Sequence, residues 1–274
     1  MSALPIQVAV GAASHTGLRR RINEDSYLAQ APLFLVADGM GGHEAGELAS
    51  AAVVEEFSAL VGAPSLDVDQ VRGALRRART RVDALAGAGR AAGTTLSGVV
   101  VAEVGGVGYW LTMNVGDSRT YRFAAGVLEQ ISVDHSVVQE LVDAGVLDDE
   151  GAARDRRRNE ITRAIGAGSD GRADYWMMPA EPGDRMLVCS DGLSGEVDPV
   201  LLATVLAEER DPQDAALRLI HEALVAGGRD NVTAIVVDAV AVGGAEDLYD
   251  TAPAGARRGD ADADTRPRGA TRGS

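Results

Sequence analysis

Four aspartates in this sequence share one local setting, in which an apolar run meets a turn that contains glycine. A single aspartate in such a turn is common and usually only shapes the backbone. A set of four is more informative, because strand ends on one side of a domain can converge. Two carboxylates about 5 Å apart repel each other by roughly 3 kcal/mol at an effective dielectric of about 20, so a converging set predicts a bound cation. The four are Asp38, Asp117, Asp191 and Asp230.

The adjacent pair Glu24 and Asp25 adds a further acidic point. All of these candidate ligands offer oxygen atoms, and no Cys or His stands at the spacing of a zinc site. Oxygen ligands favour hard divalent cations, so the sequence predicts Mg²⁺ or Mn²⁺. The number of carboxylates suits two ions better than one.

Apolar runs and turn residues predict the elements that would position these carboxylates. Links of only a few residues join the four runs between positions 94 and 131, so those strands pair antiparallel. Strands and helices come in blocks, which favours an α+β sandwich over a doubly wound parallel sheet. We predict strands over residues 6–13, 33–37, 94–104, 108–115, 118–123, 127–131, 185–190 and 232–242. We predict helices over residues 44–60, 68–85, 137–144, 198–208 and 212–225.

Composition divides the chain into one folded domain and a tail. Residues 1–242 hold the periodic segments, and within them residues 145–171 are polar, rich in arginine and without a clear period, which predicts a mobile flap. The basic run 154–158 in this flap is either a solvated charge run or a contact for acidic or phosphorylated substrate segments. Residues 243–274 have almost no hydrophobic side chains, so we expect a disordered tail.

The net charge of -15 and the sequence pI near 4.7 argue against a protein that binds nucleic acid or anionic membranes. No apolar stretch approaches the roughly 18 residues needed to cross a bilayer. The first residues lack the basic region of a secretory signal. We therefore expect a cytoplasmic protein. The single cysteine, Cys189, excludes an internal disulfide and lies in an apolar run that predicts burial.

Seven motifs, in this order along the chain, resemble those of the metal-dependent protein serine/threonine phosphatases of the type 2C family. Each motif alone would be a weak signal, but seven in the right order over about residues 8 to 240 are specific. They are RRINED (20–25), VADGMGG (36–42), GTT (93–95), GDSR (116–119), DHS (134–136), CSDG (189–192) and DNVT (230–233).

The resemblance implies a four-layer α-β-β-α sandwich with two antiparallel central sheets and two Mn²⁺ or Mg²⁺ ions at one end. Carried over by position, Asp38 would bridge the two ions and Gly39 would offer its carbonyl oxygen to one of them. Asp191 and Asp230 would bind the other ion.

The remaining site residues are also implied by the resemblance. Glu24 and Asp25 would hold coordinated waters, and Asp117 would bind a possible third ion together with Asp191. Arg20 matches the phosphate-binding arginine, and a planar guanidinium can engage two phosphate oxygens at once. The implied reaction is hydrolysis of phosphoserine and phosphothreonine by a water that bridges the two ions.

The chain departs from animal-type members at Met40, where those proteins have a histidine proposed to protonate the leaving oxygen. Bacterial members commonly have methionine here. A metal-bound water, His43 or His135 could supply the proton, while a structural role is the simpler interpretation for both histidines.

Two other functions stay open from the sequence. One is a catalytically silent binding module with the phosphatase fold, and the other is a phosphatase dedicated to a small regulator of the anti-sigma-factor antagonist type. The leading hypothesis predicts phosphorylated proteins as substrates, with serine/threonine kinases and their targets as partners. We further expect a monomer.

Overall fold

The computed structural model describes residues 4–41, 45–85 and 92–243. The strands are β1 (Ile6–His15), β2 (Asp25–Gln30), β3 (Leu33–Met40), β4 (Gly93–Thr94), β5 (Leu96–Val104), β6 (Val107–Val115), β7 (Arg119–Ala124), β8 (Val127–Gln130), β9 (Ile165–Gly166), β10 (Asp174–Pro179), β11 (Arg185–Cys189) and β12 (Val232–Val242). The helices are α1 (Ala45–Ser58), α2 (Val68–Leu85), α3 (Val137–Asp143), α4 (Asp149–Arg154), α5 (Asp191–Ser194), α6 (Pro199–Glu208) and α7 (Pro212–Ala226).

Two antiparallel sheets form the centre of the described residues. One has five strands in the order β1-β12-β11-β7-β8. The other has seven, in the order β10-β6-β5-β3-β4-β9 with β2 added beside β3. All of these pairings are antiparallel. The pairing predicted from short links is confirmed for β5 with β6 and for β7 with β8. It was wrong for β6 and β7, because the chain crosses from one sheet to the other between them.

Strand β3 is buried on both faces, as its continuous apolar run predicted. Alternate side chains of a strand point to opposite sides of a sheet. Leu33 and Leu35 accordingly join a core with α1 and α2, while Phe34 and Val36 join a second core between the two sheets. A strand that supports two cores is held firmly, and this strand carries Asp38 at its end.

Helices cover the outer face of each sheet. On the seven-stranded sheet, α2 turns Val71, Leu75, Ala78 and Val82 inward at helical spacing and packs with α1. On the five-stranded sheet, α6 and α7 bury an apolar face against β11 and β12. The predicted four-layer α-β-β-α sandwich is confirmed.

Several elements lie in segments whose apolar residues have no clear period. Strands β2 and β10 are edge strands, and their half-exposed side chains weaken the apolar pattern that identifies a strand. The strand predicted over residues 33–37 was too short, because β3 continues through Asp38 to Met40 by pairing with β4. The region 145–171 contains α4 and β9, so it has secondary structure that we did not predict, and its mobility stays a prediction.

The predicted tail from position 244 onward lies outside the described residues, and so does His43. Within the described ranges, no helix has both the length and the apolar character needed to span a bilayer.

Candidate metal centre

Asp25 and Asp38 face each other across the β2-β3 pair, at the ends of the two strands. The next residue, Gly39, is a point of close approach between three segments. A Cβ atom placed there would collide with the carbonyl oxygens of Gly46 in α1 and of Glu24. Only glycine fits this position, so the start of α1 and the residue before β2 both lie directly against Gly39, the residue after Asp38.

The backbone of Asp38 is held by the two threonines that follow Gly93. Its N–H donates to Oγ1 of Thr95 at 3.1 Å, and its carbonyl oxygen accepts from Thr95 N and from Thr94 Oγ1, both at 2.9 Å. The Thr95 hydroxyl also lies 2.8 Å from that of Ser118, beside Asp117. The GTT motif therefore fixes the main chain of Asp38 and connects it to the turn that carries Asp117.

The Asp25 carboxylate is buried and reaches across to the other sheet. Its Oδ2 accepts from Ser190 Oγ at 2.8 Å and from Thr233 Oγ1 at 2.7 Å. Ser190 belongs to the CSDG motif and directly precedes Asp191. Thr233 belongs to the DNVT motif and follows Asp230 by three residues. The bonds join the ends of the two sheets at the acidic cluster.

Asp117, Asp191 and Asp230 each follow or precede a strand at this end of the sandwich. Asp117 lies in the turn after β6, where Gly116 takes a φ of 102° that suits glycine. Asp191 opens α5 two residues after β11 ends, and Asp230 lies two residues before β12. The predicted convergence of strand ends is therefore present in the fold.

Asn231 holds the loop that leads to Glu24. Its Oδ1 accepts from Glu24 N at 2.8 Å, and its Nδ2 donates to the carbonyl oxygens of Thr16 and Ile22, both at 2.9 Å. The side chain is almost fully buried. One amide thus fixes the position of the loop that carries Arg20 relative to Asp230.

Four aspartates of the cluster, Asp25, Asp38, Asp117 and Asp191, have raised pKa values. Burial is the largest cause in each case, and the neighbouring negative charges add to it. The pKa of Asp25 rises to about 7 and that of Asp117 to about 8. The pKa of Asp38 rises well above its ordinary value, through burial and then the charges of Asp25, Asp191 and Asp117. Burial likewise raises the pKa of Asp191, and the charge of Asp230 adds to this effect.

Three buried carboxylate oxygens in this cluster have no hydrogen-bond partner: Glu24 Oε1, Asp25 Oδ1 and Asp191 Oδ1. An unpartnered buried oxygen is costly, and a cation satisfies several at once. Within the described residues, no three Asp, Glu, His or Cys side chains already stand in an arrangement that encloses an ion. The unpartnered oxygens and the mutual repulsion nevertheless fit a divalent cation, and oxygen donors are those that Mg²⁺ and Mn²⁺ prefer.

Arg20 lies at the mouth of the cluster, where its Nη2 donates to Asp230 Oδ2 at 2.6 Å. Half of the Arg20 side chain is exposed, so the guanidinium can meet an incoming anion. A cavity of about 700 Å³ opens beside Met40 and is lined further by Thr162, Arg163 and Ser169. A second cavity, of about 670 Å³, contains Asp117 and Asp191 together with residues of the 145–171 region.

His135 has a structural role in the fold. Its Nδ1 accepts from Gly116 N at 3.2 Å, and its Nε2 lies 3.1 Å from Asp174 and 3.2 Å from Arg163 Nη1. The ring is only 4% exposed, and burial lowers its pKa. These contacts support the structural interpretation over a role as general acid.

Sequence reasoning quoted the motifs around Thr95, Ser190, Asn231 and Thr233 but assigned these residues no function. Their side chains hold the acidic residues rather than face the cluster as ligands. The available signal was that Ser190 and Asn231 adjoin the predicted ligands Asp191 and Asp230, and that Thr233 shares the motif of Asp230. Thr95 lies in a motif without a predicted ligand, so the sequence carried no such signal for it. Side chains in such positions commonly orient ligands through hydrogen bonds.

The comparisons with known proteins agree with the geometry. The family model of protein phosphatase 2C matches residues 18–225. The serine/threonine protein phosphatase PstP of Mycobacterium tuberculosis is 38% identical over 287 residues, which cover 97% of this chain and 51% of PstP. The serine/threonine phosphatase stp of Listeria monocytogenes is 33% identical over 217 residues, which cover 76% of this chain and 84% of that protein.

This chain thus spans about half the length of its mycobacterial relative. Among solved structures, the catalytic domain of PstP in complex with two manganese ions superposes with a TM-score of 0.77 at 36% identity, covering 85% of this chain and 99% of that chain. The family match extends over most of the sandwich and includes six of the seven motifs in full. The chain belongs to the protein phosphatase 2C family.

Proposed function

We propose that this protein is a metal-dependent phosphatase that hydrolyses phosphoserine and phosphothreonine in proteins. The observation that carries the proposal is the group of unpartnered buried carboxylate oxygens on Glu24, Asp25 and Asp191 around Asp38. The relatives in Mycobacterium and Listeria are named serine/threonine phosphatases, and the PstP catalytic domain was solved with two manganese ions. Membership of the same family supports the same chemistry here.

The proposed ligand set follows the positions predicted from the sequence. Asp38 would be shared by two Mn²⁺ or Mg²⁺ ions, the Gly39 carbonyl oxygen would help to hold one of them, and Asp191 and Asp230 would hold the other. Strand ends from both sheets supply these groups. Because these carboxylates repel one another when ionised, bound divalent cations would relieve that repulsion.

Three further acids complete the proposed centre. Glu24 and Asp25 hold coordinated waters, and their free oxygens, Glu24 Oε1 and Asp25 Oδ1, are available for this role. Asp117 takes part in a possible third site with Asp191, whose charge contributes to the raised pKa of Asp117. We thus propose two ions in the main site, a third site beside them, and either Mn²⁺ or Mg²⁺ as the metal.

Bound divalent ions would supply a water of lowered pKa for attack on phosphorus, and positive charge for the phosphate oxygens. The reaction adds water across the P–O bond and releases the serine or threonine hydroxyl and inorganic phosphate. Arg20 binds the phosphate oxygens, and its hydrogen bond to Asp230 breaks when it does so. Met40 cannot donate a proton, and the buried contacts of His135 make it an unsuitable donor, so we assign the leaving oxygen's proton to solvent at the centre.

The test is hydrolysis of a phosphothreonine peptide and of p-nitrophenyl phosphate by the purified chain. We expect turnover with Mn²⁺, loss of turnover with excess EDTA, and its return when Mn²⁺ is added back. Asp38→Ala should remove more than about 99% of the rate, because removal of a bridging ligand dismantles the centre. Full activity in chelator would overturn the metal dependence.

A matched control is Asp69→Asn, since Asp69 lies on α2 with 93% of its side chain exposed. This variant should keep the wild-type rate. Calorimetric titration with Mn²⁺ distinguishes the silent-module alternative, because a module without the centre would bind no ion tightly. Tight Mn²⁺ binding without hydrolysis of either substrate would contradict the proposed activity but not the proposed centre.

A further inference from the structure

A third cavity, separate from the two described above, is lined by arginine side chains. Its volume is about 310 Å³, and it lies between one face of α2 and residues 170–175. The overall charge of the chain is -15, so a local concentration of cations stands out against the rest of the molecule. The arginines that line it are Arg72, Arg76, Arg79 and Arg172.

Three of these arginines form a stripe along α2, at spacings of four and three residues. Like charges at these spacings lie next to each other and destabilise a helix slightly. On the neighbouring face of the same helix, Arg77 and Arg81 pair with Glu55 and Glu56 of α1. Within α2 itself, Arg72 pairs with Asp69 at 3.9 Å and Arg79 with Asp83 at 3.6 Å. The packing of α1 on α2 therefore does not explain the stripe.

Two of the four guanidinium groups have no acidic partner. Among the described residues, no carboxylate lies within 4 Å of the Arg76 or Arg172 guanidinium. The only acid that lines the cavity is Asp170, and its Oδ1 accepts from the backbone N–H of Arg172 at 3.1 Å. Both side chains are exposed and free to bind an anion.

The other two arginines shape the walls. The Arg72 guanidinium carbon lies 5.1 Å from the centre of the Tyr175 ring, a cation–π contact. Arg79 donates to the backbone carbonyl oxygens of Ser169 and Asp170, which ties α2 to the loop. The contacts of Arg72 and Arg79 therefore shape the cavity, while the guanidinium groups of Arg76 and Arg172 take no part in them.

The arginine cavity is next to the cavity of about 700 Å³ that opens beside Met40. Asp170 lines both of them, and the larger one extends to Met40, two residues from Asp38. A polypeptide with one residue at Asp38 could therefore run along residues 163–170 and place another residue among the arginines. The two sites would then bind one substrate chain.

We propose that the cavity of Arg72, Arg76, Arg79 and Arg172 binds a second phosphate group on the same substrate polypeptide. This inference rests on the proposed phosphatase function. The phosphate that is hydrolysed lies at the metal centre, and the second one anchors the chain without being cleaved. Substrates with two or more neighbouring phosphates are then preferred over those with one.

The chemistry favours phosphate over a single carboxylate. A phosphate monoester carries about -1.5 to -2 charges at neutral pH and three acceptor oxygens, so it can satisfy several arginines at once. The planar guanidinium forks match phosphate oxygens in pairs. A cavity with two unpaired guanidinium groups and two more at its walls suits a group of higher charge than a glutamate side chain.

The experiment compares three peptides that share one phosphothreonine. One carries a phosphoserine at about 3, 5 or 7 residues from it, one has glutamate at that place and one has alanine, since an extended chain advances about 3.3 Å per residue. We expect the kcat/KM of the doubly phosphorylated peptide at the best spacing to exceed that of the alanine peptide by about 10-fold, mainly through KM. The glutamate peptide should fall between them.

Arg76→Gln/Arg172→Gln should abolish this preference and leave hydrolysis of p-nitrophenyl phosphate within about 2-fold of wild type. The matched control is Arg81→Gln on the other face of α2, which should keep the preference. Because both mutated arginines are exposed, the melting temperature should be unchanged. A preference that survives the double substitution, or a wild type with no preference, would overturn the proposal.

Binding provides a test that does not depend on turnover. In EDTA, a fluorescein-labelled doubly phosphorylated peptide should bind wild type about 5- to 10-fold more tightly than the double variant, since each exposed charge pair contributes up to about a factor of five. Equal binding would count against the cavity. If the binding difference is present but p-nitrophenyl phosphate is not hydrolysed with Mn²⁺, the proposed function fails and the anion site stands.

Discussion

Asp25 lies directly opposite Asp38 in the antiparallel register of β2 and β3, so that two acidic side chains end adjacent strands. The Asp25 carboxylate is held from the other sheet by Ser190 and Thr233, while its Oδ1 has no partner. This arrangement brings two negative charges together within the protein. The hydrogen bonds of Asp25 hold the two carboxyl groups in this arrangement. Their electrostatic repulsion destabilises the folded protein, and a bound cation offsets this destabilisation.

Asp25→Asn should stabilise the metal-free protein and weaken its binding of Mn²⁺. The substitution removes one charge from the repelling cluster and keeps an oxygen that accepts from Ser190 and Thr233. We expect a higher melting temperature in EDTA and a loss of about 10- to 100-fold in Mn²⁺ affinity, the range found when groups near a metal are altered. Differential scanning calorimetry and calorimetric titration measure the two effects, and an unstable variant with unchanged affinity would contradict the assignment.

The metal-free protein should lose stability as the pH rises from about 6.5 to about 8.5. The folded-state pKa is about 7 for Asp25 and about 8 for Asp117, both above the ordinary value of 3.8. A group with a raised folded pKa binds its proton more tightly in the folded state, so its contribution is complete below the unfolded pKa and is lost as the pH rises through the folded pKa. Urea denaturation in EDTA across this range measures the slope.

Two comparisons check the origin of that slope. The substitutions Asp25→Asn and Asp117→Asn should each reduce it, because each removes one of the titrating groups. Saturating Mn²⁺ should reverse the trend, since ionised carboxylates are the better ligands. His135 has a lowered pKa and titrates below its ordinary value of 6.5, so it contributes little in this window. A free energy of unfolding that rises with pH in EDTA would be inconsistent with the proposed shifts.

Arg20→Gln should impair catalysis while leaving the metal centre intact. The guanidinium would bind the phosphate, and hydrogen bonds to charged groups are typically worth about 1.5–3 kcal/mol, so kcat/KM should fall about 10- to 100-fold. Its ion pair with Asp230 is half-exposed, and the free energy of unfolding should change by less than about 1 kcal/mol. Steady-state kinetics with Mn²⁺ titration tests this, and a large loss of Mn²⁺ affinity would instead place Arg20 in support of the centre.

The sandwich could be predicted because its central strands and helices carry clear patterns. A continuous apolar run such as that of β3 predicts a strand buried on both faces. The spacing of Val71, Leu75 and Ala78 predicts a helix with one buried face, which is α2. The edge strands β2 and β10 could not be identified in this way, because one side of each meets solvent. Their positions depend on pairing with β3 and β6, which is information from distant parts of the chain.

The acidic residues could be singled out because each one stands at the junction of an apolar run and a turn. Their convergence, in contrast, required the fold. The residues that hydrogen-bond to these acidic residues could not be predicted, for a different reason. Asn231 and Thr233 act through side-chain hydrogen bonds that span more than 200 positions, to Glu24 and Asp25. No local pattern encodes such a pair, so the sequence marked these residues only by their nearness to Asp230.

Cys189 should be unreactive in the folded protein. It is the last residue of β11 and is completely buried in the core that β11 forms with α6 and α7, and burial raises the pKa of its thiol to about 12. The thiolate is the reactive form, so both its access and its population are suppressed. At about pH 8, Ellman's reagent should release no colour from native protein and one equivalent in urea. Rapid labelling of the native state would show that β11 is less protected than the structure indicates.

Asn231→Ala should loosen the loop before β2 and destabilise the whole domain. The substitution removes three hydrogen bonds, to Glu24 N, Thr16 O and Ile22 O, at a nearly buried position. We expect the free energy of unfolding to fall by about 2–4 kcal/mol. Because residues 19–21 of the released loop are all arginine, trypsin should cleave there faster than in wild type. Asn231→Asp keeps only the bond from Glu24 N and should give an intermediate rate, whereas unchanged cleavage in both variants would show that other contacts hold the loop.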